Sequence, residues 1–384
     1  MAVVRPTTLA LGPLLVLALL LSAGCGSDSG DQPLEPTPAI STANRSFFAA
    51  LPTGYRLEVL LDGLTTPTSL AATPDGRLLI TEQETGRVRV VRDGRLLDEP
   101  WFELPVFTAL EEDFIAQELG LVTIAVDPLF DENGFVYIYY TEQDDDGSRR
   151  TVFGRLRDVD GKGADLTKLV TLDLAPPKRH IAGGIAFDGN DAILLGIGDH
   201  DLPELAPRLD SLVGKVLRID RDGAALPDNP YVGRDDADPR VYASGLRNPF
   251  GVTVDHLTGR AYITENRQTA GDAVYELVAG ADYGWPGDPV TIREAHVIYD
   301  FPMGMAGIIA YDGDALPEFT GDLFYCTFHN GGGLHWSELG PVEGYELALR
   351  DRLIAPGCNT GVTAGADGFL YLLTYDGKLM RISR

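Results

Sequence analysis

Basic residues are scarce in this chain: 31 Lys and Arg stand against 57 Asp and Glu, for a formal charge of −26. Phosphate backbones would be repelled by such a surface, so a nucleic-acid partner is excluded, whereas cations, calcium among them, would be attracted. Cysteine is also sparse, with 3 in 384 residues, too few for a disulfide-built scaffold. The cysteines lack zinc-site spacing and no histidine pair completes such a site. Long stretches with helical periodicity are missing. The apolar stretch from Leu9 to Leu21 is too short to favour a membrane-spanning helix. What remains is a globular composition, 44% apolar, with 44 Gly and 25 Pro. That combination points to many short strands joined by turns.

The first residues read as a targeting segment. Arg5 precedes an apolar stretch from Leu9 to Leu21, followed by Ser22-Ala23-Gly24-Cys25. The pattern resembles a bacterial lipoprotein signal, with residues 1–24 removed and Cys25 lipidated, although Leu21 lies one place early and Ser22 takes the position usual for Leu. An ordinary secretory signal cut near Ala23 is the alternative. Either way the expectation is an exported protein, lipid-anchored on the outer face of the cytoplasmic membrane or periplasmic or extracellular. Any contact with a membrane would run through the anchor alone. Residues 25–46 are rich in Ser, Asp and Pro and read as a flexible tether. Cys326 and Cys358 are left over; in an exported protein they are expected to pair, two buried thiols being the alternative.

From residue 47 to 384 a unit repeats. A turn such as Pro74-Asp75-Gly76 leads into a strand, a short loop and a second strand ending in a charged turn. Equivalent turns fall at Asp131–Gly134, Asp188–Asn190, Leu257–Gly259, Thr320–Asp322 and Ala366–Gly368. These six copies recur about 45 to 70 residues apart, near the period of propeller blades. A short apolar run precedes each turn, such as Leu121 to Val126 and Phe250 to Val254. The predicted fold is all-β: a six-bladed β-propeller of four-stranded antiparallel blades. Tyr55 to Leu61 is the natural strand to close the last blade, outside Lys378 to Ser383.

One stretch, Lys178 to His200, carries the first chemical signal. Two strands joined by the turn at Asp188–Asn190 bring their far ends together, which sets His180 beside Asp199. A carboxylate that orients an imidazole is the minimum equipment of a general base. A surface histidine and a turn aspartate are the plainer reading. Arg247-Asn248 precede the next inner strand as His180 precedes its own, so both motifs face one funnel.

Several longer motifs carry a resemblance: Leu119 to Thr141, His180 to Phe187 with Gly198-Asp199, Gly214 to Pro230, Ala243 to Gly251, and Ala281 to Pro286. Together they resemble the glucose and sorbosone dehydrogenase family over about Gly54 to Ser383. Those proteins are six-bladed propellers that use pyrroloquinoline quinone and calcium. The resemblance implies a small-molecule sugar substrate, with His180 as catalytic base and Asp199 as its support. It implies Arg247 and Asn248 as quinone contacts. The calcium loop becomes Glu265 to Asp272, with Asp272 the acidic position beside the ion or else a turn carboxylate. Trp285 reads as a packed structural indole. The family's enzymes place a Lys in the fifth repeat's loop and two Arg before the last inner strand. Thr327 to Gly333 and Gly357 to Val362 hold neither, and Arg179, His329 and Asn330 are the groups near enough in sequence to compensate. An exported propeller that binds carbohydrate or protein without catalysis is the alternative function.

Overall fold

The computed structural model describes residues 50–108, 118–174, 179–189, 192–268, 271–287, 295–299, 301–329, 332–339 and 351–384. The expected signal, tether and Cys25 lie outside them, as does Asn330. Six antiparallel sheets follow one another along the chain. Their inner strands are Pro67–Ala72, Leu121–Val126, Ala182–Phe187, Pro249–Asp255, Met305–Ala310 and Val362–Ala364. Each inner strand packs on the next, and the sixth packs back on the first, which closes a propeller ring.

Period-two alternation explains why blades look almost continuously apolar. In the strand Phe135–Gln143, Val136, Ile138 and Tyr140 pack toward blade 1, while Tyr137 and Tyr139 pack toward blade 3. Both faces are therefore core, as in sheets covered on each side. The same division runs round the ring: six apolar clusters each fill the gap between two neighbouring blades. Blade 1 varies the plan. Its outer position is shared by two short strands, Arg95–Leu96 and Phe102–Glu103, both paired to Arg87–Arg92.

The last blade takes its fourth strand from the other end of the described chain. Arg56–Leu61 pairs with Leu379–Ser383, Arg56 opposite Ser383 and Val59 opposite Met380. Leu57 leans on the cluster between blades 5 and 6, and Leu60 and Leu61 on that between blades 6 and 1. Glu58 accepts hydrogen bonds from Arg381 Nη2 (3.0 Å) and Ser383 Oγ (3.4 Å). Down the axis runs a channel of about 300 Å³ lined by all six inner strands.

A chain starting at Gly63 should lose roughly 3 kcal/mol, about 1 per half-buried leucine, and roughly 4 °C in Tm. It should also aggregate through the bared edge of Leu379–Ser383. Thermal melts of the two proteins are the check, and an unchanged Tm would mean the closing strand adds nothing.

Candidate active site

The pairing of Ala182 with Ile197 fixes the geometry at the mouth of blade 3. It carries His180 and Asp199 to the same edge, where His180 Nδ1 lies 2.8 Å from Asp199 Oδ1. The approach requires glycine at 198, because a Cβ there would stand 1.6 Å from the His180 carbonyl oxygen. Four non-glycine residues of this corner are left-handed: His180 (φ 56°), Ala182 (54°), His200 (53°) and Asp201 (60°). Such conformers cost of order 1 kcal/mol each and gather at functional sites. Here the fold holds them through His200 N–H to His180 O (3.2 Å), Asp199 N–H to Arg247 O (2.7 Å) and Asp201 N–H to Asp199 Oδ1 (2.9 Å). The His200 ring is fully buried with neither nitrogen partnered, and burial lowers its pKa to about 4, so it stays neutral.

Blade 4 supplies the other half. Arg247 Nη2 lies 2.6 Å from His180 Nε2. A guanidinium has donors only, so Nε2 offers its lone pair and the ring hydrogen sits on Nδ1, donated to Asp199. Arg247 Nη1 donates to the carbonyls of Asn266 (3.1 Å) and Arg267 (3.2 Å). The backbone N–H groups of Arg247 and Asn248 point at the Glu265 carboxylate, at 2.7 and 3.2 Å. Glu265 reaches them because it ends a strand in register with Pro249. Asn248 Nδ2 donates to Glu118 Oε1 (3.0 Å), and Glu118 Oε2 accepts from Ile181 N–H (3.0 Å). Glu118 thus ties the entries of blades 3 and 4 together, and burial raises its pKa. Asn248 Oδ1 is buried without a partner. Trp285 Nε1 donates to the second Asp199 oxygen at 2.8 Å.

The structure therefore brings together His180, Asp199, Arg247 and Asn248 as their positions in the repeat imply. Asp272 is buried apart from them. Its Oδ1 accepts from Arg267 N–H (2.7 Å) and its Oδ2 from Met303 (2.7 Å) and Gly304 (3.0 Å). All three donors turn their positive ends to the carboxylate, and the loop's carbonyls at 266 and 267 face the Arg247 cation. Among the described residues no cluster of three acidic, His or Cys side chains forms. Among the described residues the Asp272 oxygens receive backbone N–H groups. Sequence reasoning missed Glu118, Glu265 and the indole of Trp285. Glu118 stands before an inner strand as His180 and Arg247 do, so the repeat register was the signal available.

On the far rim, Cys326 and Cys358 are joined in a disulfide with Cα atoms 5.1 Å apart. It staples the two segments that lack cations, and Thr327 N–H also donates to Cys358 O (3.3 Å). Of the compensating groups, Arg179 pairs through Nε with Asp201 (3.0 Å), its Nη groups having no partner among the described residues, and His329 is exposed.

The family model for glucose/sorbosone dehydrogenase matches residues 64–381. The chain is similar to the aldose sugar dehydrogenase YliI of Escherichia coli, 27% identical across 87% of this chain and 94% of that one. It is also similar to quinoprotein glucose dehydrogenase B of Acinetobacter calcoaceticus, 26% identical across 67% of this chain and 56% of that one. A crystal structure from Thermus thermophilus, described as an oxidoreductase (glucose dehydrogenase), superposes with a TM-score of 0.72 at 30% identity, covering 86% of this chain and all of that one.

Two measurements follow from this geometry. Burial pushes the Glu265 carboxyl from an ordinary 4.5 to about 7. The folded state then holds that proton more tightly than the unfolded chain. Its contribution is full below about pH 4.5 and is lost as pH rises through about 7. Relative to Glu265→Gln, the wild type should lose about 3 kcal/mol between about pH 5 and pH 8 in denaturant unfolding, and parallel curves would refute this. Removing the disulfide as the Cys326→Ala, Cys358→Ala pair opens a loop of sequence separation 32. The expected loss is about 3 kcal/mol by the same measurement at fixed pH.

Proposed function

Because the chain belongs to the glucose and sorbosone dehydrogenase family, we propose that it is a quinone-dependent oxidoreductase that oxidises a sugar hydroxyl at His180. Pyrroloquinoline quinone, when bound, supplies the acceptor for the hydride leaving the substrate carbon. The observation that carries the reading is the His180 ring, neutral, with Nδ1 on Asp199 and its Nε2 lone pair turned to Arg247. A substrate hydroxyl placed at Nε2 would hand its proton to the ring. The Nδ1 hydrogen would stay on Asp199, whose negative charge offsets the imidazolium that forms. Loss of that proton and of the hydride from the same carbinol leaves a carbonyl product, so charge and atoms balance. Arg247 must leave Nε2 for the hydroxyl to arrive. Its planar fork is then available to an anionic oxygen.

The residues present fit an anionic quinone in kind. Arg247 and the Nη groups of Arg179 are donors to anionic oxygens, and the unpartnered Asn248 Oδ1 is an acceptor for an N–H or O–H. The names of two relatives, an aldose sugar dehydrogenase and a quinoprotein, support the same chemistry and a sugar as substrate. Calcium enters no step. Its expected place would need the carbonyls that Arg247 now engages. The N-terminal pattern ending at Cys25 supports a lipid-anchored enzyme acting outside the cytoplasmic membrane. A binding propeller without redox chemistry is favoured by one observation, the absence of Lys and Arg from Thr327–Gly333 and Gly357–Val362.

Purified protein titrated with pyrroloquinoline quinone should change the quinone's absorption and reduce a dye with an aldose. His180→Ala should keep the spectral change and lose at least about 100-fold in kcat. A wild-type protein with neither spectral change nor turnover overturns the proposal and favours the binding propeller.

A further inference from the structure

Trp285 occupies the turn that follows blade 4's third strand, and that turn is sewn to the segment leading into Arg247. Ser244 N–H donates to Ala281 O (2.9 Å), Tyr283 N–H to Ser244 O (2.9 Å) and Trp285 N–H to Gly245 O (2.8 Å). Arg267, itself buried, holds the turn from below through Nη1 to Gly287 O (3.0 Å) and Nη2 to Tyr283 O. The backbone under the indole is thus fixed on two sides, two residues from the start of the Arg247 corner.

The ring so fixed has two working surfaces. Its edge N–H reaches across to blade 3 and donates to Asp199 Oδ2 at 2.8 Å. Its face carries the guanidinia of Arg247 and Arg267, at 5.6 and 6.0 Å from the centroid. Asp199 is 1% exposed, and its oxygens divide their work. Oδ1 takes His180 Nδ1 and Asp201 N–H, and among the described residues Oδ2 takes the indole alone. A buried carboxylate oxygen stripped of its donor is costly and turns to find another. Turning the carboxylate swings Oδ1 away from His180 Nδ1, and the ring loses the bond that orients it and holds its Nδ1 hydrogen.

We propose that Trp285 is a positioning residue for the base: its edge fixes Asp199, and through it the hydrogen bond at His180 Nδ1, while its face seats Arg247. This rests on reading His180 as the base. A merely packed indole would matter for stability and leave the Nδ1 bond alone.

Trp285→Phe separates the two surfaces, since it keeps an aromatic face and removes the N–H. In ligand-free protein labelled with 15N-histidine, wild-type His180 should show a protonated Nδ1 and a bare Nε2. Trp285→Phe should keep that form, which the Arg247 donor at Nε2 still imposes, but its Nδ1 proton should move upfield and exchange with solvent at least about 10-fold faster, with kcat about 10-fold lower and KM within about 2-fold. A second measurement does not depend on that variant folding. In Asp199→Ala, the Trp285 indole N–H should exchange with solvent at least about 10-fold faster than in wild type. An unchanged shift and exchange rate of the His180 Nδ1 proton in a folded Trp285→Phe, or unchanged indole exchange in Asp199→Ala, overturns the proposal. Both readouts are taken without quinone or sugar. A wild-type protein that fails to turn over would therefore overturn the dehydrogenase reading and still leave the role of Trp285 decided.

Discussion

Burial of both faces of every sheet is the constraint on which the rest of this molecule depends. A sheet with apolar residues on both sides needs a neighbour on each, and a row of such sheets always leaves two ends bare. Closing the row into a ring removes the ends. The inner strand of blade 6 packs on that of blade 1, and Arg56–Leu61 completes the sheet that makes this contact. Closure has a chemical consequence. The starts of six inner strands are brought round one axis, so side chains far apart in sequence meet there without any local motif. Glu118 and Asn248, 130 residues apart, are bonded because each stands just before an inner strand.

The acidity of the chain takes on a different meaning at this rim. A charge of −26 suggests a surface that gathers cations. At the site the carboxylates do something else: they receive the N–H groups left over where strands end. Glu265 takes two backbone N–H groups, Asp272 takes three, and Glu118 takes one together with an amide side chain. In blade 1 Glu82 does the same for Thr65 N–H at 2.9 Å. Glu82 and Glu265 are both opposite the proline that begins an inner strand, which shows one structural device used twice. Loops that would otherwise bury unpaired donors are thereby held still, and a fixed rim is what a base with a defined tautomer needs.

How much of this could be read from the sequence follows from the range of each interaction. Turns and apolar runs are local, so the six repeats, the inner strands and the closing strand were legible, as was the hairpin that sets His180 beside Asp199 across 19 residues. Arg247 and Asn248 were legible as the equivalent corner of the next blade. Trp285 reads as mere packing in the sequence because its partner lies 86 residues away in a different blade, and an indole on a turn has no periodic signature. The N–H groups that Asp272 receives come from Met303 and Gly304, more than 30 residues on, so these partners were not legible in the loop itself.

Arg247 joins the two halves of the site, and its chemistry decides what that junction can do. One guanidinium bonds the His180 lone pair through Nη2 and two carbonyls through Nη1, while lying over Trp285. A lysine ammonium, a compact charge without a planar fork, could not meet an imidazole and a carbonyl pair while stacking on an indole. On the reading of His180 as the base, the contact with Nε2 covers it with the group best suited to an anionic oxygen. A ligand offering such an oxygen would then draw the guanidinium off the imidazole and bare the lone pair by the same movement, so that base and oxygen-binding group are coupled through one hydrogen bond.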